Sequence, residues 1–202
     1  CFSNQTIYEQ AKYNNLMLVS VVICSYNRAA YIGGALDSLY QQTASKDNFE
    51  VIVVDNNSTD DTEQVVAKWR SDHAEGHFHY STETNQGASF ARNTGAAAAK
   101  GGWLCFMDDD AIATPTYIEN IIQHIHAKPE AIGFGGRIIP KYIPSEPEWM
   151  SYYVSSLVGN FDYAPTACAF ENGKYPIESN MIVKKVVYDA IGGFNTQIPG
   201  VV

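Results

Sequence analysis

WLCFMDDDA, residues 103–111, is an apolar run that ends in three consecutive aspartates. Two glycines precede it, and five apolar residues without a polar break predict a short strand that is buried on both faces, as in a parallel sheet. The carboxylates follow the C-terminal end of this strand, which is where open α/β sheets bind ligands. The stretch therefore predicts an α/β fold and the edge of the sheet at which a ligand binds.

The spacing of the three aspartates predicts a metal site. In an extended backbone, side chains at i and i+2 point to the same side, so Asp108 and Asp110 would converge on one cation while Asp109 points elsewhere. Oxygen ligands of this kind suit Mg²⁺ or Mn²⁺. The alternative is a solvated acidic turn, which is the commoner outcome for a charge cluster considered alone.

Strand and helix patterns alternate on both sides of this stretch. Apolar, β-branched runs at 18–24 and 49–54 predict two more buried strands, and a polar run at 77–81 predicts an edge strand. Apolar side chains at helical spacing lie between the strands: Ile32, Ala35, Leu36 and Leu39; Thr62, Val65, Val66 and Trp69; Ile118, Ile121, Ile122 and Ile125. The alternation predicts a mostly parallel sheet with right-handed crossovers and helices on both faces.

Local signals place the helix starts and the later elements. Asp60 with Glu63 predicts a capping box for the second helix. Thr114 as cap and Pro115 as first helical residue predict the start of the helix after the aspartates. Residues 132–139 are strand-like but rich in glycine, and residues 140–170 hold four of the eight prolines and many aromatic residues. They predict a packed loop region that covers the site, followed by a strand at 181–183 and a helix at 184–190.

The composition narrows the classes of function. With 202 residues, 46% hydrophobic and 17% charged, the chain can bury one substantial core. Its net charge of −9 argues against nucleic-acid binding and would repel an anionic substrate unless a divalent cation is bound. The four scattered cysteines indicate reduced, buried thiols in a cytosolic setting. No apolar run reaches the roughly 18 residues that span a bilayer.

Five segments together resemble the family 2 glycosyltransferases, which have the GT-A fold. They are VSVVICSYNR at 19–28, VVDNNSTD at 53–60, NQGASFARN at 85–93, MDDD at 107–110 and IGGF at 191–194. The resemblance extends over about residues 18–195. It implies a weakly structured leader at 1–17, a nucleotide-sugar-binding half at 18–139 and the start of an acceptor-side region at 140–202.

The resemblance also implies roles in donor binding. Asp55 matches the carboxylate that accepts a hydrogen bond from the imide N–H of uracil or thymine, a task suited to a group that only accepts; the alternative is a helix-capping aspartate. Arg92 would contact the base or the diphosphate, or be an ordinary surface arginine. The remaining residues that match the nucleotide-binding segments are Cys24, Ser25, Asn27 and Gly87.

The aspartates match the DXD motif of the family. This match implies that Asp108 contacts the ribose, that Asp109 belongs to the donor site and that Asp110, with Asp108, holds Mn²⁺ or Mg²⁺ between the donor phosphates. Such an ion stabilises the leaving diphosphate as a Lewis acid. The sequence contains no Walker-type glycine–lysine loop that could do this instead.

The acceptor side is less well defined by the sequence. Glu178 and Asn180 match a segment that lines the sugar and acceptor pocket in relatives, with Glu178 in place of a small residue. Trp149 is either a stacking platform for a sugar or a core tryptophan. The catalytic base of relatives follows the glycine pair by ten or more residues, so we expect it beyond Val202 in a bacterial chain truncated before that point. Asp109 and Glu178 are weaker substitutes.

We therefore expect an inverting glycosyltransferase that moves a sugar from a UDP- or dTDP-sugar to the hydroxyl of a saccharide or lipid-linked acceptor, in cell-envelope or capsule synthesis. Its expected location is the cytoplasm, at the inner face of the membrane if it associates with one through sequence outside these residues. The alternatives are a catalytically silent nucleotide-sugar-binding module and a sugar-1-phosphate nucleotidyltransferase. The latter needs a basic, glycine-rich segment after the first strand, which is missing here.

Overall fold

The computed structural model describes residues 18–171 and 173–197. Its strands are β1 (Val19–Ser25), β2 (Phe49–Asp55), β3 (His77–Thr82), β4 (Trp103–Asp108), β5 (Gly133–Gly135) and β6 (Asn180–Lys184). Its helices are α1 (Ile32–Tyr40), α2 (Thr62–Asp72), α3 (Ala88–Ala98), α4 (Tyr117–Ala127), α5 (Tyr152–Ser155) and α6 (Lys185–Ala190). The predicted leader and Cys1 lie outside the described residues.

The six strands form one sheet in the order β3-β2-β1-β4-β6-β5. The first four strands are parallel to one another, which confirms the predicted mostly parallel sheet. β6 runs antiparallel to β4 and to β5. The stretch quoted at the outset is therefore an inner strand, buried from Trp103 to Met107 and paired on both sides.

Two apolar clusters cover the two faces of the sheet, as predicted. On one face, side chains of β1, β2 and β4 pack against α1, α2 and α4. On the other face, alternate side chains of the same strands pack against α3 and α6. Burial of both faces is the reason that these strands are apolar runs rather than alternating sequences. None of the described helices is long and apolar enough to cross a bilayer.

Helix α3 lies unusually close to the sheet because of Gly95. A Cβ atom at this position would overlap Cγ1 of Val22 and lie 3.1 Å from Cγ2 of Val54. Gly95 thus allows α3 to pack closely on the sheet and sets the distance between this helix and strands β1 and β2.

A buried polar cluster closes the opposite edge of the sheet. The Ser20 hydroxyl donates to Oε1 of Glu50 at 2.6 Å, and the backbone N–H of Lys100 donates to the same oxygen at 2.6 Å. The N–H of Gly101 donates to Ser20 Oγ at 2.8 Å. Buried polar groups are stable only when they are paired in this way, so this edge is a structural one.

Both predicted helix starts were wrong. Helix α2 begins at Thr62, and Asp60 accepts hydrogen bonds from the N–H groups of Thr62 and Ala29 rather than forming a capping box with Glu63. Helix α4 begins at Tyr117, not at Pro115, and has no side-chain cap. Asp60 bonds to the loop after β1 through its carboxylate, and the carbonyl groups of Thr114 and Pro115 accept hydrogen bonds from Gln42 and Thr43. Local sequence does not exclude such alternatives.

The segment between β5 and β6 also differs from the expectation. The predicted strand at 132–139 shrinks to the three residues of β5, followed by a bridge between Ile138 and Phe161. Several of its large apolar side chains are exposed, including Trp149, Tyr153 and Leu157. Among the described side chains that line the cavity below, none comes from residues 140–170. The prediction that this region covers the site was therefore wrong for this cavity.

Candidate functional site

A cavity of about 240 Å³ opens at the C-terminal ends of β1 and β4. Strand register places Cys24 beside Asp108, and Ser25 beside Asp55. The side chains that line the cavity are Val22, Cys24, Ser25, Tyr26, Arg28, Asn56, Ala88, Ala91, Arg92, Phe106, Met107, Asp108, Asp109, Asp110 and Glu178. Four carboxylates and two guanidinium groups therefore meet at the edge predicted from the sequence.

The three aspartates reach the cavity by a turn, not by strand alternation. β4 ends at Asp108, and the N–H of Ala111 donates to the Asp108 carbonyl at 3.2 Å. The expected i, i+2 geometry of an extended backbone was wrong, since Asp109 and Asp110 both lie in this turn. All three residues nevertheless line the cavity.

Burial and mutual repulsion raise the pKa of two of these carboxyl groups. The pKa of Asp108 is raised mainly by burial; Arg92 opposes this rise, and the charges of Asp110 and Glu178 add to it. The pKa of Asp109 is raised to about 6, again mainly by burial, with Ser25 and Arg28 opposing the rise. A concentration of negative charge with too few positive partners is the situation that a bound cation relieves.

Arg28 is one of the cavity residues that the sequence reasoning missed. Its Nε atom lies 3.7 Å from Oδ1 of Asp109, and its guanidinium carbon lies 5.6 Å from the centre of the Tyr31 ring. Asp109 therefore lies beside Arg28 in the loop after β1, and the charges of Asp108 and Asp110 still act on it. A basic residue just after the first strand end was the available signal.

Cys24 and Ser25 place two small polar groups on the cavity wall. Burial raises the pKa of Cys24 to about 12, and the nearby positive charge of Arg92 only partly offsets this, so the thiol stays neutral. The buried Ser25 hydroxyl lies close enough to Asp109 to lower its pKa, yet among the described residues no complete hydrogen bond to it forms. An incompletely paired buried hydroxyl beside a cavity is available to a ligand.

Asp55 is buried next to the cavity and already has two partners. Its Oδ1 accepts from the N–H of Ser58 at 2.8 Å, and its Oδ2 accepts from the Tyr80 hydroxyl at 2.8 Å. Asp55 itself is not among the lining side chains, but its neighbour Asn56 is. Each carboxylate oxygen has a second acceptor site, so the predicted role in base recognition stays a prediction.

Asn27 and Gly87 lie outside the lining and shape the loops around it. The Asn27 backbone is left-handed, with φ of 53°, and its side-chain oxygen accepts from the N–H of Thr59 at 2.7 Å. The N–H of Gly87, at φ of 140°, donates to Oδ1 of Asn56 at 2.7 Å. The Asn56 amide also donates to two carbonyls of the loop before α3. These two asparagines fasten the loops to one another.

The three acceptor-side candidates lie in different settings. Glu178 lines the cavity together with the aspartates, and its charge acts on Asp108. Asn180 is buried; it accepts from the Tyr117 hydroxyl at 2.7 Å and donates to the Arg137 carbonyl at 3.2 Å. Trp149 is 72% exposed and away from the cavity, which removes the alternative that it is a core residue. The structure thus brings Glu178 alone of the three to the acids.

The carboxylate oxygens of the cavity suit a divalent cation. Among the described residues no group of three His, Cys, Asp or Glu side chains could hold a metal ion by themselves. Asp108 and Asp110 would supply two carboxylates in a cavity that also has room for ligand oxygens. Mg²⁺ is commonly held in this way, by one or two carboxylates plus substrate phosphates and water.

Comparisons with known proteins agree with this architecture. An uncharacterized glycosyltransferase of Haemophilus influenzae is 34% identical over 193 residues, which is 90% of this chain and 58% of the relative. A glucosyl-dolichyl phosphate glucuronosyltransferase of Haloferax volcanii is 28% identical over 89% of this chain and 56% of its own length. The chain thus spans little more than half the length of these relatives.

Solved structures share the fold. A mannosyltransferase of Pyrobaculum calidifontis, in complex with GDP-Man and Mn²⁺, matches 96% of this chain and 56% of its own with a TM-score of 0.67 at 22% identity. S. aureus TarS 1-349 matches 91% and 52% with a TM-score of 0.64 at 23% identity. The predicted GT-A fold is thereby confirmed. Residues 20–192 match the family described as Glycosyl transferase family 2. The chain therefore belongs to glycosyltransferase family 2.

Proposed function

We propose that this chain binds a nucleoside-diphosphate sugar through the acidic cavity and is the donor-binding part of an inverting glycosyltransferase. The observation that carries the proposal is the meeting of Asp108, Asp110 and Glu178 with two arginines at the strand ends of a family 2 chain. Arginine binds phosphate oxygens through several N–H groups at once. An acidic cavity with arginines on its walls suits an anionic ligand that is bound together with a cation.

Different residues of the cavity would bind different parts of the donor. Asp108 and Asp110 would hold Mn²⁺ or Mg²⁺, which when bound supplies Lewis-acid stabilisation of the departing diphosphate. Arg92 and Arg28 lie beside these acids and would bind phosphate oxygens. The acceptor hydroxyl also needs a general base to take its proton.

The donor that we propose is a UDP- or dTDP-sugar. Asp55 would accept the imide N–H of the base with a free acceptor site of its carboxylate, which the hydrogen bonds from Ser58 and Tyr80 hold in one orientation. TarS structures contain UDP and UDP-GlcNAc, whereas the Pyrobaculum calidifontis enzyme contains GDP-Man. The identity of the nucleobase is therefore the first property of the donor to measure.

The acceptor is proposed to be a hydroxyl of a saccharide or lipid-linked saccharide, used in a bacterial cell envelope or capsule at the cytoplasmic face of the membrane. Glu178 is an exposed carboxylate of the cavity lining and would accept hydrogen bonds from sugar hydroxyls. Asn180 holds the segment that carries it. The exposed Trp149 would offer a stacking face to the acceptor.

Calorimetric titration with UDP, dTDP and GDP tests donor binding. With Mn²⁺ present we expect one of the three to bind, and in EDTA its affinity should fall about tenfold or more because the diphosphate then faces the aspartates unscreened. Asp110→Asn should show the same loss even with Mn²⁺. Asp47→Asn, a matched charge change at an exposed aspartate, should keep the wild-type affinity.

Two outcomes would contradict parts of this proposal. Absence of nucleotide binding in the presence of Mn²⁺ would exclude donor binding altogether. Tight binding without release or transfer of the sugar by the complete protein would instead favour a catalytically silent binding module.

A further inference from the structure

The turn after α6 is joined to α3 by an unusual pair of hydrogen bonds. The Asn93 amide donates to the carbonyl of Phe194 at 2.9 Å, and the N–H of Phe194 donates to Oδ1 of Asn93 at 2.9 Å. The Tyr188 hydroxyl donates to the same oxygen at 2.5 Å. One asparagine thus pairs with both backbone groups of a residue that is 101 positions away in sequence.

The glycines before Phe194 make this contact possible. Gly192 and Gly193 have φ of 83° and 74°, a backbone conformation that residues with a side chain rarely adopt. A Cβ atom on Gly193 would lie 2.6 Å from Oδ1 of Asn93 and 3.1 Å from the Tyr188 hydroxyl. The turn therefore fits against α3 only without a side chain at this position.

The pairing sets the position of the Phe194 ring. This ring meets Phe106 of β4 edge to face, with centroids 5.2 Å apart, and lies 5.8 Å from the Tyr188 ring. The guanidinium carbon of Arg92 lies 5.3 Å from the centre of the Phe194 ring. The ring is thus wedged between the sheet and an arginine that lines the cavity.

Arg92 directs its charge at the acid end of the cavity. Arg92 lines the cavity together with Cys24 and Asp108, and its positive charge opposes the rise in the pKa of both groups. Across residues 18–171 and 173–197, however, Arg92 forms no ion pair of 4 Å or less. Its orientation rests on the ring of Phe194, and its N–H groups stay available to an anion.

We propose that Phe194, held by Asn93, is a positioning residue that presents the Arg92 guanidinium to the diphosphate of the bound nucleotide. The inference rests on the proposed function and adds the turn after α6 to the donor site. A cation–π contact fixes the plane of a guanidinium without using its N–H donors. An aliphatic residue would fill the same space without fixing this plane.

The experiment compares a nucleoside diphosphate with its nucleoside. For whichever of UDP, dTDP and GDP the wild type binds with Mn²⁺, Phe194→Leu should weaken binding by about threefold to thirtyfold, the range of a partly desolvated cation–π contact. Affinity for the matching nucleoside, followed by NMR, should stay within about twofold. Phe194→Tyr keeps the aromatic face and should restore diphosphate binding.

A double-mutant comparison and a matched control complete the test. Phe194→Leu should add little to the loss caused by Arg92→Ala, because the ring acts through that arginine. Phe78→Leu removes the ring below Arg70, a similar pair at 5.7 Å outside the cavity, and should leave nucleotide binding unchanged. Thermal melting verifies that each variant is folded.

The outcomes separate this inference from the proposed function. If the wild type binds no nucleoside diphosphate, the proposed function fails and this inference fails with it. If the wild type binds but Phe194→Leu has no effect, or weakens nucleoside and diphosphate equally, only the positioning role is overturned.

Discussion

Cys24 and Asp109 line one cavity, and burial favours the uncharged form of both. For the thiol the consequence is a pKa of about 12, and for the carboxyl group a pKa of about 6. Desolvation is the largest cause in each case, because a charged group loses more hydration than a neutral one on burial. The cavity thus presents a neutral thiol beside acids that need a counter-charge.

We predict that the cysteines differ widely in reactivity. Only the thiolate reacts with an alkylating agent, so at pH 8 Cys168, which is exposed, should be modified well before Cys24 and Cys105. Burial raises the pKa of Cys105 to about 12 as well. Peptide mapping by mass spectrometry after timed iodoacetamide treatment measures this order. Modification of Cys24 as fast as Cys168 would contradict the neutral, buried thiol.

The sequence predicts individual site residues best where a strand ends. Ser25, Asp55 and Asp108 end their strands as expected, because the carboxyl ends of parallel strands share one edge. Arg28 and Asn56 were missed because their roles depend on where the following loop turns. The direction of Asp110 was inferred from an extended backbone, whereas the chain turns directly after Asp108.

At the level of elements, the packing of α3 on the sheet controls the cavity. The first turns of α3 contribute Ala88, Ala91 and Arg92 to the cavity lining. Asn93 in the same helix is hydrogen-bonded to Phe194 in the turn after α6. The separation of helix and sheet is set by Gly95, against which the side chains of β1 and β2 pack directly.

We predict opposite effects of two glycine-to-alanine substitutions. Gly95→Ala would drive a methyl group into Val22 and should lower the free energy of unfolding by about 1–2 kcal/mol, since overpacking outweighs the gain in helix propensity. In Gly33→Ala, the added Cβ atom in α1 meets no atom within 4 Å, so this substitution should raise the free energy of unfolding by up to about 1 kcal/mol. Urea denaturation of both variants measures the difference. Equal effects would show that the sheet yields at Gly95.

Elements with strong periodicity were predictable, and those fixed by distant contacts were not. The apolar stripes of α1, α2 and α4 face the sheet as expected. The antiparallel direction of β6 has no local signal, because it depends on how the long segment after β5 returns to the sheet. The start of α4 was misplaced because the carbonyl groups of Thr114 and Pro115 accept hydrogen bonds from Gln42 and Thr43, which follow α1.

For the whole molecule, the two edges of the sheet handle buried acids differently. At one edge Glu50 accepts hydrogen bonds from the Ser20 hydroxyl and the N–H of Lys100. At the other edge burial and neighbouring negative charges raise the pKa of Asp108 and of Asp109 beside an open cavity. Functional sites often retain such unfavourable charge at a cost in stability.

We predict that substitutions at the two edges have opposite consequences at pH 7.5 without metal. Glu50→Ala should lower the free energy of unfolding by about 2–4 kcal/mol, because it leaves buried donors unpaired. Asp108→Asn should raise it by about 0.5–2 kcal/mol, because a poorly solvated charge is removed. Chemical denaturation and nucleotide titration measure both properties. Asp108→Asn should lose nucleotide binding. The more conservative variant Glu50→Gln, which should be destabilised but still folded, should keep nucleotide binding.

The pairing of β5 with β6 has a consequence for how such chains diversify. Because these strands are antiparallel, the chain leaves the sheet after Gly135 and re-enters it at Asn180 side by side, and the Asn180 amide joins the two points through the Arg137 carbonyl. The residues between them form an insert with a closed base. Its length and composition can therefore change over evolution without shifting the register of any strand, and the scaffold that holds the nucleotide can persist while the insert is replaced.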